Sequence, residues 1–177
     1  MAYFPLSVDL TGKTVFLIGS GRQIEDKYRK LLPFGATLIR KQTFTQADAQ
    51  SQPAMVVAQA DGREEEVYAL CRAYGIPVNV VDVPKLCSFY FPALSVRGSL
   101  TISVSTGGGS PAAAGYLRQQ IEAQLPSRTE EILDWLSEQR AQLRERGILK
   151  AAVAQSFAQN RPLTEQELVQ LSDFAEK

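Results

Sequence analysis

Thr14-Val15-Phe16-Leu17-Ile18-Gly19-Ser20-Gly21 decides the fold. An apolar run without polar alternation is buried on both faces, as a strand inside a parallel sheet is, and this one stops at glycine. Residues 23–34 follow with helical spacing, Ile24, Tyr28, Leu31 and Leu32 on one side and charges on the other. Strand, glycine turn and helix in that order place Gly19 and Gly21 where the amides of a helix start can meet a pyrophosphate. The full fingerprint has a small residue where Ile24 stands, so a plain tight turn also accounts for the two glycines.

Outward from this unit the alternation repeats. Gly35-Ala36 closes the helix and Thr37-Leu38-Ile39 forms a second strand. Residues 54–58 form a third strand, 64–74 a helix capped by Gly75, and 77–81 a fourth strand. Strand and helix in turn predict an α/β fold with a Rossmann-like parallel sheet. From 89 to 105 the residues are extended and broken at Arg97-Gly98, the pattern of antiparallel pairing. Ser110 is a favoured N-cap and Pro111 suits the first helical position, so a helix runs from there to about Leu125, where Pro126 stops it. Further helices fall near 128–146, 148–159 and 164–175, the last opened by the capping box Thr164/Glu167. Ile132, Trp135, Leu136 and Leu143 share a helix face that serves either a core or a partner.

The chain has 177 residues, 45% of them hydrophobic, enough for a conventional core and a small appendage. Lys plus Arg number 19 and Asp plus Glu 19, so no broad basic field draws in nucleic acid or an anionic membrane. No apolar stretch reaches the length of a membrane span, and the opening MAYFPLSVDLTGK lacks a basic segment followed by an apolar one, so a cytoplasmic location is expected. Cys71 and Cys87 stand apart, without zinc-site or disulfide-framework spacing, and read as buried thiols. Histidine is absent, which removes imidazole bases and His-ligated metal sites and leaves proton transfer to carboxylates, Tyr, Lys or the substrate.

Three further places carry chemistry. Arg40-Lys41 stands where an NAD-binding sheet usually has an acid, so either the pair tolerates a 2′-phosphate or it is simply solvated. Asp82 follows the fourth strand at the carboxyl edge of the sheet, where such sheets bind ligands. It is read as a proton acceptor or transient metal ligand, or as a turn residue ahead of Pro84. Ser105-Thr-Gly-Gly-Gly-Ser-Pro111 leads into a helix start, and is either an anion-holding loop or a flexible, well-capped turn.

These residues together resemble the precorrin-2 dehydrogenase and sirohydrochlorin ferrochelatase family, the N-terminal module of siroheme synthase. The matching features are Phe4-Pro-Leu6, Val15 to Gly21 with Lys27, Gly35-Ala36, Asn79-Val-Val-Asp-Val-Pro-Lys85, Ser88-Phe89, Phe91-Pro92 and Ser103 to Pro111. The resemblance implies NAD-dependent oxidation of precorrin-2 to sirohydrochlorin, NADP not being excluded, with Asp82 matching the family's essential aspartate as base or metal escort. Gly19, Ser20, Gly21, Arg22 and Gln23 then fall at the first cofactor turn, and Thr43 and Phe44 at the second. Precorrin-2 carries many carboxylates, for which Lys85, Arg97, Thr106, Gly107, Gly108 and Ser110 are the candidate contacts. Members are homodimers, and some also insert Fe2+ as ferrochelatases. On this match residues 1–84 form the NAD(P)-binding domain, 85–126 an antiparallel dimerisation segment with the glycine-rich loop, and 127–177 a helical region. Ser20 and Ile24 stand where the family usually has three glycines and a small residue in the first loop, Ala58-Gln59-Ala60-Asp61 stands where it usually has Ala-Thr-Asp, and the stretch 40–54 is short. These departures keep open a tetrapyrrole-binding or assembly protein without oxidation, or a chelatase working without NAD.

Overall fold

A computed structural model describes residues 3–175 and divides the chain into two compact units between Phe91 and Pro92. The first unit is a parallel sheet in the order β2-β1-β3-β4, formed by β1 (Thr14–Gly19), β2 (Thr37–Lys41), β3 (Met55–Gln59) and β4 (Val78–Val80). Helices α1 (Arg22–Leu31), α2 (Gln46–Gln50) and α3 (Glu64–Ala73) connect them.

Alternation of side chains along each strand sorts the core into two faces. Phe16, Ile18, Val56, Ala58, Val78 and Val80 pack with Phe44, Val67 and Cys71, while Val15, Leu17, Met55 and Val57 pack with Leu10, Ile24 and Leu31. Burial of each large aliphatic side chain contributes roughly 2 kcal/mol. The chain leaves β1 for β2 on one side and returns to β3 on the other, so the carboxyl ends of β1 and β3 flank the crevice where the strand order reverses.

The helix expected over 23–34 ends sooner. Pro33 has no N–H to continue the ladder, and Leu32–Phe34 tightens into a 3-10 turn before the left-handed Gly35. Strand β2 runs two residues further than Ile39, and the short stretch beyond it still holds α2, opened by a capping box between Thr45 and Asp48. Burial pushes the Asp48 carboxyl up, but bonds from Lys41 Nζ at 2.6 Å and from Thr45 outweigh it and hold the group below its ordinary value.

The second unit opens with an antiparallel hairpin, β5 (Ala93–Arg97) and β6 (Leu100–Val104), turned at Gly98-Ser99 where Gly98 has φ +54°. Helix α4 (Pro111–Ala123) packs on the hairpin, with Ser95 Oγ donating to Glu122 at 2.8 Å. Helices α5 (Thr129–Glu145), α6 (Leu149–Gln159) and α7 (Glu165–Ala175) enclose their own core of Ile132, Leu136, Leu143, Ile148, Ala152, Leu163 and Leu168. The apolar face of α5 is therefore core, and Trp135 packs against it.

Candidate active site

The carboxyl edge of the first unit's sheet is shaped by the meeting of β1 and β3. Gly19 lies in register with Gln59, and a Cβ on Gly19 would stand 1.9 Å from the Gln59 carbonyl oxygen. No other residue fits there, whatever the turn binds. Gly21 is the N-cap of α1 at φ +105°, and no side chain caps the helix. Glu25 N is the first amide of α1 to bond back, to Gly21 O at 3.1 Å, so the preceding amides carry the positive end of the helix without an intrahelical partner.

This turn borders a cleft of about 360 Å³ that also takes in Glu25, Arg40 and Lys41 at the end of β2, and Gln42 just beyond it. Arg40 and Lys41 are both engaged there. Arg40 donates to Glu25 Oε2 at 2.7 Å and stacks 3.8 Å above the Tyr28 ring, and Lys41 holds Asp48. The Arg40 guanidinium, helped by Arg29, keeps the Glu25 carboxyl below its ordinary value. Ile24 is buried in the α1 face of the core, so the position of the third fingerprint glycine is filled by packing.

Asp82 is exposed, with φ +60° in the turn after β4. That left-handed backbone is uncommon outside glycine, and Asp is among the residues that tolerate it. Its carboxylate accepts a 2.6 Å hydrogen bond from Gln23 Nε2 in the first turn of α1. One turn further along, Lys27 is half-buried over the Phe91 ring at 4.7 Å. Burial pushes its ammonium below the ordinary value, aided by Lys30 and opposed by Asp26 and Asp82. Cys87 Sγ donates to Val80 O at 3.2 Å and burial pushes its thiol up, which makes it a packing residue, as Cys71 is.

The other candidates have separate surroundings. Ser20, Arg22 and Thr43 are exposed, while the Phe44 side chain is buried edge-on to Phe16 and belongs to the core. Lys85 is exposed, 3.7 Å from Glu65. In the second unit, Arg97 lies 3.7 Å from Glu122. The loop there is closed on itself: the amides of Gly107, Gly109 and Ser110 bond to Ser105 Oγ, Thr106 O and Thr106 Oγ1, and Ser110 Oγ caps α4 through Ala113 N at 3.2 Å. Among the described residues no group of three or more Cys, Asp or Glu comes together to hold a metal, and no helix is long and apolar enough to cross a membrane.

Whether this edge fits a dinucleotide is tested by Gln59. Its Oε1 is buried with no hydrogen-bond partner, and a Cβ on Gly21 would lie 3.9 Å from it. An acceptor in want of a donor next to helix amides in want of an acceptor matches the hydroxyls and phosphates of a dinucleotide. The Gln23–Asp82 bond and the Glu25–Arg40 pair are absent from any local sequence signal, because each joins separate elements, and Gln59 shows in the sequence only as a departure from the family's usual residue.

A family model described as "Putative NAD(P)-binding" matches residues 6–93, and one described as "Sirohaem biosynthesis protein central" matches residues 97–124. The siroheme synthase of Stutzerimonas stutzeri is 34% identical over 82% of this chain and 36% of its own length. Siroheme synthase 1 of Aeromonas salmonicida is 36% identical over 71% of this chain and 32% of its length. The chain thus spans about a third of the length of the curated relatives it matches. A solved structure titled "SirC, precorrin-2 dehydrogenase" superposes with a TM-score of 0.64 over 97% of this chain and 99% of that one, at 16% identity, and so shares its fold.

Proposed function

The chain belongs to the precorrin-2 dehydrogenase and sirohydrochlorin ferrochelatase family, the N-terminal module of siroheme synthase, and on that premise we propose that it oxidises precorrin-2 to sirohydrochlorin with NAD. The observation that carries this reading is the bond from Gln23 to Asp82, which sets a carboxylate at the same sheet edge as the uncapped start of α1.

NAD, when bound, supplies the carbon that takes a hydride from the macrocycle. The oxidation removes that hydride and one proton, and the exposed Asp82 carboxylate accepts the proton. Gly19 and Gly21 leave the backbone open at the turn, and the amides of Arg22, Gln23 and Ile24 hold the pyrophosphate with the helix dipole behind them. Ser20 lines the same cleft, and Thr43 follows the end of β2. Gln23 turns the carboxylate, and the half-buried Lys27 adds positive charge on the same helix. The candidate contacts to the peripheral carboxylates of the tetrapyrrole are, in the first unit, the exposed Lys85 and, in the second unit taken by itself, Arg97 beside Glu122 and the Thr106, Gly107, Gly108 and Ser110 loop. The reading carries with it a homodimer in the cytoplasm and, for a following chelation step, Fe2+ as substrate with Asp82 as its transient ligand.

The test is to titrate the purified protein with NAD and to follow precorrin-2 oxidation by absorbance in wild type and Asp82→Ala. The reading expects the variant to bind NAD as wild type does and to lose at least about a hundredfold in turnover, the scale of acid–base catalysis. Wild type that neither binds NAD nor turns over contradicts it. Cobalt insertion into sirohydrochlorin in the same preparation tests the chelation step.

A further inference from the structure

Gln59 ends β3, in register with Gly19, at the crevice where the strand order reverses. Its Oε1 is shut from solvent and accepts nothing, although a glutamine amide has no difficulty finding water at a surface. Leaving an acceptor buried and unpaired lowers the stability of the folded chain, and native structures leave few such groups unexplained. Here a Cβ on Gly21, the N-cap of α1, would stand 3.9 Å from the atom.

The chemistry of the atom narrows what it meets. A carbonyl-type oxygen accepts hydrogen bonds and offers none, so it repels the phosphate oxygens that the start of α1 attracts. Within a dinucleotide the groups next to the pyrophosphate that can donate are the ribose hydroxyls. We propose that Gln59 is a cofactor-binding residue of this chain, its Oε1 accepting a hydrogen bond from a ribose hydroxyl while the neighbouring helix amides hold the phosphates. The inference rests on the dinucleotide reading of the site. It also gives the departure from the family's usual residue at this position a function: the glutamine supplies an acceptor beside the Gly19–Gly21 turn, one that has no partner within the chain.

The experiment replaces Gln59 by Met, similar in length and without an amide, and compares NAD and ADP-ribose binding by calorimetry with the melting temperature of the ligand-free protein. The expected result is a melting temperature at or above wild type and roughly tenfold weaker binding of both ligands, the loss of one buried hydrogen bond. Gln59→Leu is made alongside, so that a variant that does not fold is replaced by one that does. Wild-type affinity in the folded variant overturns the proposal, and so does weakening seen with NAD but not with ADP-ribose, which would assign the contact to the nicotinamide carboxamide. Wild type that binds neither ligand overturns the dinucleotide reading and this inference with it.

Discussion

Gln23 donates its side-chain amide to the carboxylate of Asp82 at 2.6 Å, tying the first turn of α1 to the turn after β4 across 59 positions of sequence. A bond to a charged acceptor is worth more than one between neutral groups, and at an exposed edge its main effect is on where the carboxylate points. Gln23→Leu is expected to lower kcat about tenfold while NAD affinity stays within about twofold, since the cofactor contact assigned to this position is its backbone amide. Steady-state kinetics with a separate NAD titration checks the split. A weaker NAD affinity with unchanged kcat would make Gln23 a cofactor contact alone.

The two glycines of the first turn are glycine for different reasons. Gly19→Ala forces a Cβ to 1.9 Å from the Gln59 carbonyl oxygen, which only a separation of β1 from β3 relieves. A loss of stability of more than about 3 kcal/mol is expected, seen as poor folding. Gly21→Ala meets nothing closer than Gln59 Oε1 at 3.9 Å, but its φ of +105° strains any side chain. It should fold with a modestly lowered melting temperature and lose dinucleotide affinity. Thermal melts and NAD titration of both variants separate the two roles.

Acid stability should draw on the second unit. The Arg161 guanidinium, followed by the Thr164 backbone amide, holds the Glu167 carboxyl at about 2, against an ordinary value of 4.5. A carboxyl lowered in the folded state stabilises the fold above its unfolded value and loses that contribution as the pH falls through the folded one. The contribution is thus complete above pH 4.5 and is lost as the pH falls towards about 2. Urea midpoints of wild type and Glu167→Gln are expected to differ near neutrality and to converge across that window. A constant difference would remove the ion pair from the explanation.

Cys71 is fully buried and burial pushes its thiol up to about 12. It should resist alkylation in the native protein at mildly alkaline pH and react only when the chain is unfolded. Mass spectrometry after a timed iodoacetamide pulse, with and without denaturant, reads this directly. Rapid labelling of Cys71 in the native state would place it in a locally opening segment.

The parts of this molecule that are legible in the sequence are those with local causes. Thr14–Gly19 has to be buried on both faces, Ser110-Pro111 caps and starts α4, and the Thr164/Glu167 box opens α7 with both reciprocal bonds in place. Thr45-Gln46-Ala47-Asp48 carries the same four-residue signal and opens α2, although the brevity of the stretch argues against an element there. The candidate site is legible only in part. Asp82 and the Gly19–Gly21 turn follow from their place after strands, whereas the Gln23–Asp82 bond depends on the parallel pairing of β1 with β3 and of β3 with β4. Arg40-Lys41 has two readings as a sequence, a phosphate contact or a solvated pair, and the structure shows a third: each cation is held by a carboxylate, Glu25 and Asp48. Phe44 is similar: its place in the chain suits a cofactor turn, but its side chain is part of the core beside Phe16.

A hydride moved from precorrin-2 to NAD, as proposed, ties the two products together in a fixed stoichiometry. Precorrin-2, NAD and purified protein are mixed without oxygen, and NADH and sirohydrochlorin are counted together. One NADH for each sirohydrochlorin is expected with wild type, and both products at least about a hundredfold more slowly with Asp82→Ala. Sirohydrochlorin that fails to form with wild type, or that forms without NADH, would contradict the proposed hydride transfer.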